Sequence, residues 1–187
     1  MIMNKVEFWL MNNPIRAAIQ RYEAKRMRDM TNYKGGNVLE IGCGQGVGTK
    51  LIQKLFKPKK ITAIDLDPKM VERAKERVKS KTIHFQQGDA SKLTFKDDQF
   101  DAIFDFGILH HIPNWKDAIR ELHRVLKPGG EVILEDLSIE SFRLPIFGWL
   151  LYAILDHPYQ QMYSRKEFYD FVEENDFKIE AKKQNIF

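Results

Sequence analysis

The eleven residues from Val38 to Gly48, VLEIGCGQGVG, constrain the fold of this chain more than any other stretch. The apolar start predicts a buried strand over Asn37–Ile41, and the glycines that follow predict a tight turn that opens a helix. A turn of this kind brings bare backbone close to a nucleotide-like ligand. The stretch contains one acid, Glu40, followed by glycines at alternate positions: Gly42, Gly44 and Gly46.

The spacing of the glycines bears on which nucleotide-like ligand could bind. A dinucleotide fingerprint has the form G-x-G-x-x-G, so its third glycine is the sixth residue of the motif. That position is Val47 when the count starts at Gly42, and Thr49 when it starts at Gly44. The pattern therefore disfavours an NAD(P)-dependent oxidoreductase.

Strand and helix patterns alternate after Gly36, which predicts an α/β fold with a parallel sheet covered on both faces. Asn13-Pro14 predicts the start of a helix in an N-terminal arm, residues 1–34. Asp67 and Asn114 are predicted helix caps, and Ser164 with Glu167 forms a predicted capping box. The predicted strands are Asn37–Ile41, Lys60–Asp65, Ile83–Gln87, Phe100–Phe106, Glu131–Asp136 and, last, Phe177–Lys182.

Composition is that of one globular domain: 43% of the 187 residues are apolar and 30% are charged. The single cysteine, Cys43, provides no internal disulfide framework and suits a reducing cytosol, so we predict a cytoplasmic protein. The N-terminus does not resemble a signal peptide. No Cys/His pair stands at metal-ligand spacing, so no metal site is predicted.

Four acids fall at the carboxyl ends of predicted strands: Glu40, Asp65, Asp89 and Asp105. Ligands of doubly wound folds bind beyond these ends, beside the first strand. Asp65 follows Gly42 at about the spacing of an acid that binds ribose hydroxyls, and a carboxylate can accept from both hydroxyls of a diol. Asp67 is better placed to cap the next helix, which leaves Asp65 for the ribose.

These segments together resemble the class I S-adenosylmethionine (SAM)-dependent methyltransferases, and most closely the branch of ubiquinone and menaquinone biosynthesis methyltransferases. The resemblance covers residues 37–136 and fades in residues 1–34 and 137–163. It implies a Rossmann-like, mostly parallel sheet of order 3-2-1-4-5 with an added C-terminal strand. The segments that carry it are Val38–Gly46, Ile64–Asp67, Gly88–Ala90, Phe100–Phe104, Leu109–His111 and Arg124–Gly130.

The resemblance also implies roles for residues in the SAM site, with S-adenosylhomocysteine as the product. Glu40 and the loop Gly42–Gly46, which includes Cys43 and Gly44, would hold the methionine end of SAM, and Asp65 would hold the ribose. The adenine and sulfonium contacts would come from Leu66, Met70, Asp89, Ala90, Phe106 and Gly107. One departure concerns the family's usual terminal hairpin: after Phe177–Lys182 the chain has hardly room for a seventh strand, so either the sheet is a strand short or the chain is truncated.

Two sequence features invite a catalytic role. His110 or His111 could act as a general base, but these side chains are better explained as bracing the turn before Pro113, because a histidine in this turn is shared by relatives of different chemistry. Cys43 could be a nucleophile, but a small residue in a tight turn is the simpler interpretation.

Both segments outside the core, the arm (residues 1–34) and an insertion at residues 137–163, are rich in apolar and aromatic residues. The arm also carries the entire net charge of +4. The simpler interpretation is a helical lid that packs on itself and a solvated basic face. The functional hypothesis is a lipid-like, quinone-like or aromatic small-molecule acceptor, with peripheral membrane contact through the arm. A C-terminal helix and a strand within residues 164–187 would complete the single domain.

Two alternatives remain open at the level of sequence. The basic arm could bind RNA or DNA, although the segment Asp105–Ile108 lacks the Asp/Asn-Pro-Pro-aromatic run of methylases that act on exocyclic amines of nucleic acids. A SAM-binding module without catalysis is the other alternative. The intact set of Glu40, Gly42, Gly44, Asp65 and Asp89 argues against it.

Overall fold

The computed structural model describes residues 14–142 and 162–181. The arm's first apolar residues, Val6 to Met11, and most of the predicted lid lie outside this range. Within it the elements are, in chain order, α1 (Pro14–Met30), β1 (Asn37–Ile41), α2 (Val47–Phe56), β2 (Lys60–Asp65), α3 (Pro68–Arg77), β3 (Ile83–Gln87), β4 (Phe100–Phe106), a 3-10 turn (Leu109–His111), α4 (Trp115–Val125), β5 (Leu126–Glu135), α5 (Ile139–Phe142) and α6 (Arg165–Glu174).

The five strands form one parallel sheet of order β3-β2-β1-β4-β5, as expected for the doubly wound fold. Helices α1, α2 and α3 pack on one face of the sheet through residues such as Ala24, Ile52 and Val71. Helices α4 and α6 pack on the other face through residues such as Ile119 and Val172. Because both faces are covered, the central strands read as continuous apolar runs.

Register brings the functional ends of the strands to one edge of the sheet. Ile41 at the end of β1 pairs with Ile64 of β2 and with Asp105 of β4, and Phe106 pairs with Glu135 of β5. Strands β2 and β3 are added on one side of β1, and strands β4 and β5 on its other side. The direction in which strands are added therefore reverses at β1. The loop that follows β1 therefore lies at the topological switch point, where open α/β sheets bind ligands.

Two of the predicted caps form as expected. The side chain of Asp67 accepts a hydrogen bond from the backbone N–H of Lys69, and Pro68 begins α3. Ser164 accepts from the backbone N–H of Glu167 at the start of α6. Asn114 occupies the N-cap position of α4 as predicted, and its backbone carbonyl accepts from Asp117 and Ala118, but its side chain makes no capping hydrogen bond.

The fifth strand begins earlier than predicted, at Leu126 rather than Glu131, and ends at Glu135. Between these points the ladder is irregular, because Phe100 pairs with Leu126 while Ala102 already pairs with Glu131. The extra residues of β5 bulge at this point, and Gly129 has a φ of 76°. The segment Lys127–Gly130 thus follows the end of α4, as expected, but its residues already belong to β5.

The predicted sixth strand over Phe177–Lys182 is wrong for residues 177–181, which form no strand; Lys182 lies outside the described range. Phe177 and Ile179 pack against the cluster that α4 and α6 form on the sheet, and the Phe177 ring lies 5.1 Å from the ring of His123 in α4. The alternation of apolar and polar residues in this segment therefore reflects packing against helices and not pairing in the sheet. Within residues 14–142 and 162–181, no helix is long and apolar enough to cross a membrane.

Candidate SAM-binding site

The loop between β1 and α2 depends on glycines in left-handed backbone conformations. Gly42 has a φ of 63°, and a Cβ there would stand 2.5 Å from the side chain of Ile108. Gly46 has a φ of 81°, and its Cβ would stand 2.8 Å from Val78. Gly44, at a φ of 50°, faces open space, because a Cβ there would have no atom within 4 Å. The loop thus packs tightly at both ends and leaves bare backbone accessible in its middle.

Glu40 is a buried carboxyl directly below this loop. The hydroxyl of Thr49 donates a hydrogen bond to it. Burial raises the pKa of Glu40 to about 8; the Thr49 hydrogen bond lowers the pKa, and the charge of Asp65 raises it. A Cβ on Gly48 would stand 2.5 Å from Oε1 of Glu40 and 2.9 Å from the Phe106 ring. A side chain at position 48 would therefore collide with both Glu40 and Phe106, so the close packing of α2 here requires glycine.

Asp65 connects the ends of β1 and β2. Its Oδ2 accepts a hydrogen bond from the backbone N–H of Gly44 (2.8 Å), and its Oδ1 accepts one from Asp67 (2.9 Å). Burial raises the pKa of Asp65, and the hydrogen bonds from Asp67 and Gly44 oppose this. Beside it, the Leu66 side chain is 51% exposed, whereas Met70 is buried in α3. Leu66 therefore presents an apolar side chain at this edge, whereas Met70 presents little surface.

Asp89 and Ala90 follow β3 at the same edge of the sheet. Oδ1 of Asp89 accepts hydrogen bonds from the backbone N–H of Ser91 (2.8 Å) and from its hydroxyl (2.7 Å). Oδ2 has no hydrogen bond to any residue within the described range, and the side chain is exposed. Asp89 is therefore an oriented carboxylate with one oxygen directed to solvent, and Ala90 is buried beneath it.

Cys43 lies buried within the loop. Burial is the largest cause that raises the pKa of its thiol, followed by the charges of Glu40 and Asp65. A thiol held in its neutral form is a poor nucleophile. Its environment fits the interpretation as a small packing residue.

Asp105 near the end of β4 and His110 in the 3-10 turn belong to a cluster of buried polar side chains. The carboxylate of Asp105 accepts hydrogen bonds from the backbone N–H groups of Ile108 (2.9 Å) and Leu109 (3.3 Å), which fixes the 3-10 turn. The pKa of Asp105 is raised well above its ordinary value by burial and by the charge of Asp136. Asp105 is thus a bracing residue of the turn.

His110 is itself held by Asp136. Its backbone N–H donates to Oδ2 of Asp136 (2.9 Å), its ring Nδ1 is hydrogen-bonded to Oδ1, and the hydroxyl of Tyr163 donates to Oδ2 (2.7 Å). The His111 ring packs on the His110 ring, with centroids 4.1 Å apart. This arrangement fits the predicted bracing of the turn before Pro113.

Several residues at this edge escaped the sequence analysis. Gly48 belongs to the glycine-rich stretch, but its proximity to Glu40 depends on the position of helix α2 and cannot be seen in the sequence. Other contacts join segments that lie far apart in the chain, so no local pattern indicates them; they involve Arg16, Glu23, Glu135, Asp136 and Tyr163.

The residues present fit SAM in charge and shape. The methionine end carries an ammonium group, and Glu40 is a buried carboxyl whose ionised form needs a nearby cation. The open backbone at Gly44 leaves room above the loop. Farther along the edge, Asp65 provides acceptor oxygens for a diol, and Asp89 provides a free oxygen for an amine.

Comparison with known proteins identifies the family. The family described as "Methyltransferase domain" matches residues 39–134. Demethylmenaquinone methyltransferase of Staphylococcus aureus is 32% identical over 182 residues, which span 93% of this chain and 74% of that protein. The chain belongs to the class I SAM-dependent methyltransferases. It is therefore an enzyme, and its methyl donor is SAM.

Solved structures share the fold at lower sequence identity. A SAM-dependent methyltransferase from Mesorhizobium loti aligns with a TM-score of 0.70 and 20% identity, over 84% of this chain and 81% of that one. The Haemonchus contortus phosphoethanolamine N-methyltransferase 2, in complex with SAM, aligns with a TM-score of 0.69 and 23% identity, over 86% of this chain and 36% of that one. These likenesses concern the fold.

Proposed function

We propose that this enzyme transfers a methyl group from SAM to a lipophilic, quinone-like small molecule. The observation that carries the proposal is the match to a demethylmenaquinone methyltransferase at 32% identity, because it spans 93% of the chain and so extends well beyond the core of residues 37–136. Exposed apolar side chains on the arm also support a lipophilic acceptor. On helix α1, the side chains of Ile19 and Tyr22 are 45% and 61% exposed.

We assign the donor site to the residues at the sheet edge. Glu40 and the loop around Gly44 bind the methionine end, and Asp65 accepts hydrogen bonds from the ribose hydroxyls. Leu66 and Met70 flank the adenine, whose amine donates to Asp89 while the backbone N–H of Ala90 serves the ring. Each role is supported by the position, burial and free hydrogen-bonding capacity described above.

The chemistry requires the protein to align donor and acceptor and, where the acceptor must lose a proton, to take up that proton. SAM, when bound, supplies a methyl group on a positively charged sulfur, which is already electrophilic. Phe106 and Gly107 at the end of β4 line the place where donor and acceptor meet, and the buried Phe106 ring keeps water from it. Orienting the two reactants in this dry corner supplies most of the rate enhancement.

The acceptor class can be tested with reduced demethylmenaquinone and methyl-tritiated SAM. We expect label in the organic phase, because the quinol is both lipophilic and nucleophilic. Phosphoethanolamine and total RNA serve as polar acceptors in parallel reactions. Label that enters either of these and not the quinol would overturn the proposed acceptor, while the Asp89→Ala variant, which weakens the donor site, controls for non-enzymatic transfer.

We further propose a cytoplasmic enzyme that docks on anionic membrane surfaces through helix α1. Its outer face exposes Ile19 and Tyr22 beside the cations Arg21 and Lys25, whereas Ala24 and Met27 on the inner face are buried. Apolar side chains flanked by basic ones are typical of helices that lie in the interface of a membrane.

Liposome flotation measures this docking. We expect the full chain to float with vesicles that contain phosphatidylserine and to remain in solution with neutral vesicles, because each basic residue near an anionic surface contributes about 1 kcal/mol. Charge reversal of Arg21 and Lys25 should abolish flotation. The matched reversal of Lys54 and Arg77, exposed cations on α2 and α3, should not; equal loss in both variants would contradict docking through α1.

A further inference from the structure

Glu135 occupies a distinctive position at the end of β5. It pairs in register with Phe106, so its side chain stands at the edge where donor and acceptor would meet. Its Oε2 lies 3.8 Å from the point that a Cβ on Gly107 would occupy. Gly107 is the residue predicted to face the sulfonium and the acceptor. The carboxylate of Glu135 therefore adjoins the acceptor side of the site.

Glu135 also differs from the other carboxylates at the ends of β4 and β5. Asp105 and Asp136 are almost fully buried and hydrogen-bonded to the 3-10 turn, His110 and Tyr163. The side chain of Glu135 is 29% exposed and accepts no hydrogen bond from any residue within the described range. It is thus the carboxylate of this group that can reach a ligand.

The groups around Glu135 set its protonation. Burial is the largest influence and raises its pKa to about 7; the charges of Glu23 and Asp136 also raise it, while Arg16 and His110 lower it. Arg16 Nη1 is hydrogen-bonded to Glu23 (2.6 Å), and its Nη2 lies 3.9 Å from Glu135, beyond hydrogen-bonding distance. The guanidinium therefore only partly stabilises the ionised form of Glu135. A base that titrates near neutral pH is suited to proton transfer.

We propose that Glu135 is the general base that deprotonates the methyl acceptor. The inference rests on the proposed function, because it requires an acceptor with an acidic proton such as a quinol. Glu135 takes the proton from the acceptor hydroxyl, and the electron pair left on oxygen shifts into the ring, where the neighbouring ring carbon forms the bond to the methyl carbon. The electron pair of the broken carbon–sulfur bond stays on sulfur. The hydrogen on the methylated ring carbon then leaves as a proton to water, which restores the aromatic ring, and Glu135 returns its proton to the acceptor oxygen.

The Glu135→Gln variant tests this role with reduced demethylmenaquinone as acceptor. With SAM at saturating concentration, the wild-type kcat/KM for the acceptor should rise with pH to a plateau, with a midpoint near 7. The variant should lose this limb and about 10²- to 10⁴-fold in kcat. Its SAM affinity should stay within about twofold by calorimetry, since no donor contact is assigned to Glu135.

Neighbouring charges provide a signature that a purely structural role would not produce. Glu23→Gln should move the midpoint of the pH profile to lower pH, and Arg16→Met should move it to higher pH. The same midpoints should appear without turnover, in the ¹³C resonance of δ-labelled glutamate that disappears in Glu135→Gln. Glu72→Gln, an exposed carboxylate on α3, should change neither measurement.

Two results would overturn the assignment: an unchanged kcat and pH limb in Glu135→Gln, or a carboxyl resonance that titrates near the ordinary 4.5. Absence of turnover by wild-type enzyme, with SAM still bound, would overturn the proposed acceptor instead. In that case a carboxyl resonance that titrates near 4.5 would still overturn the assignment of Glu135.

Discussion

Replacing Asp65 by Ala should weaken SAM binding by about 100-fold or more, because hydrogen bonds to a charged acceptor contribute roughly 1.5–3 kcal/mol each. Asp65 accepts from Gly44 and Asp67 through different oxygens and keeps lone pairs directed outward for a diol. Calorimetric titration with SAM gives the affinity directly. The variant loses both the ligand contact and a brace of the loop, so its control must separate the two.

Asp67→Ala is the matched control, since this neighbouring carboxylate caps α3 through the N–H of Lys69. We expect it to lower the free energy of unfolding by about 1 kcal/mol and to leave SAM affinity within about twofold. A second control uses 2′-deoxy-S-adenosylhomocysteine. The wild type should bind it more weakly than S-adenosylhomocysteine, while Asp65→Ala should bind both equally. A full penalty for the deoxy compound in Asp65→Ala would show that Asp65 acts on the loop alone.

The sequence predicted those parts of the fold that depend on local patterns. Four strands have their predicted bounds. For β1, β2 and β4 the reason is that mainly apolar segments between glycine, proline and cap residues mark buried parallel strands without reference to the rest of the chain. The Gly42–Gly46 loop was predictable for the same reason. Positive φ angles at three alternating residues need glycine, and the sequence displays them directly.

The sequence could not predict contacts that depend on tertiary packing. Phe177 and Ile179 alternate like a strand but pack on the helical cluster, and alternation alone does not tell a sheet from a helix surface as the partner. Glu135 lies within the predicted strand Glu131–Asp136, yet its environment is set by Arg16 and Glu23 of α1. Which helix face meets which strand end is decided by the packing of the whole domain, so the acceptor side was harder to predict than the donor side.

The second large effect concerns Glu40 and pH. Replacing Glu40 by Gln should weaken SAM binding by about 100-fold at pH 8, because a buried carboxylate that faces an ammonium group contributes several kcal/mol when its partner is left unpaired. In the free wild-type protein, burial holds the pKa of Glu40 at about 8, so below that pH the carboxyl is mostly protonated. Binding a cation favours its ionised form.

SAM binding should therefore release a proton from Glu40 below pH 8. Affinity should rise by up to about tenfold per pH unit from pH 6 toward 8, and then stop rising as the α-amino group of SAM loses its own proton. Calorimetry in buffers of different ionisation enthalpy counts the released proton. Glu40→Gln should release none, and Thr49→Val, which removes the hydrogen bond that lowers the pKa of Glu40, should shift the rise to higher pH.

The free energy of unfolding of the SAM-free protein should fall as pH rises, whereas SAM affinity rises. The folded-state pKa of Glu40 lies above the ordinary 4.5, so the protonated carboxyl contributes stability below 4.5 that is lost as pH rises through 8. Free wild type should lose stability relative to Glu40→Gln between pH 6 and 9, and SAM should restore it. Denaturant unfolding at both pH values measures this. Equal pH dependence in the two proteins would mean that Glu40 is already ionised without SAM, and the linkage between its charge and donor binding would be wrong.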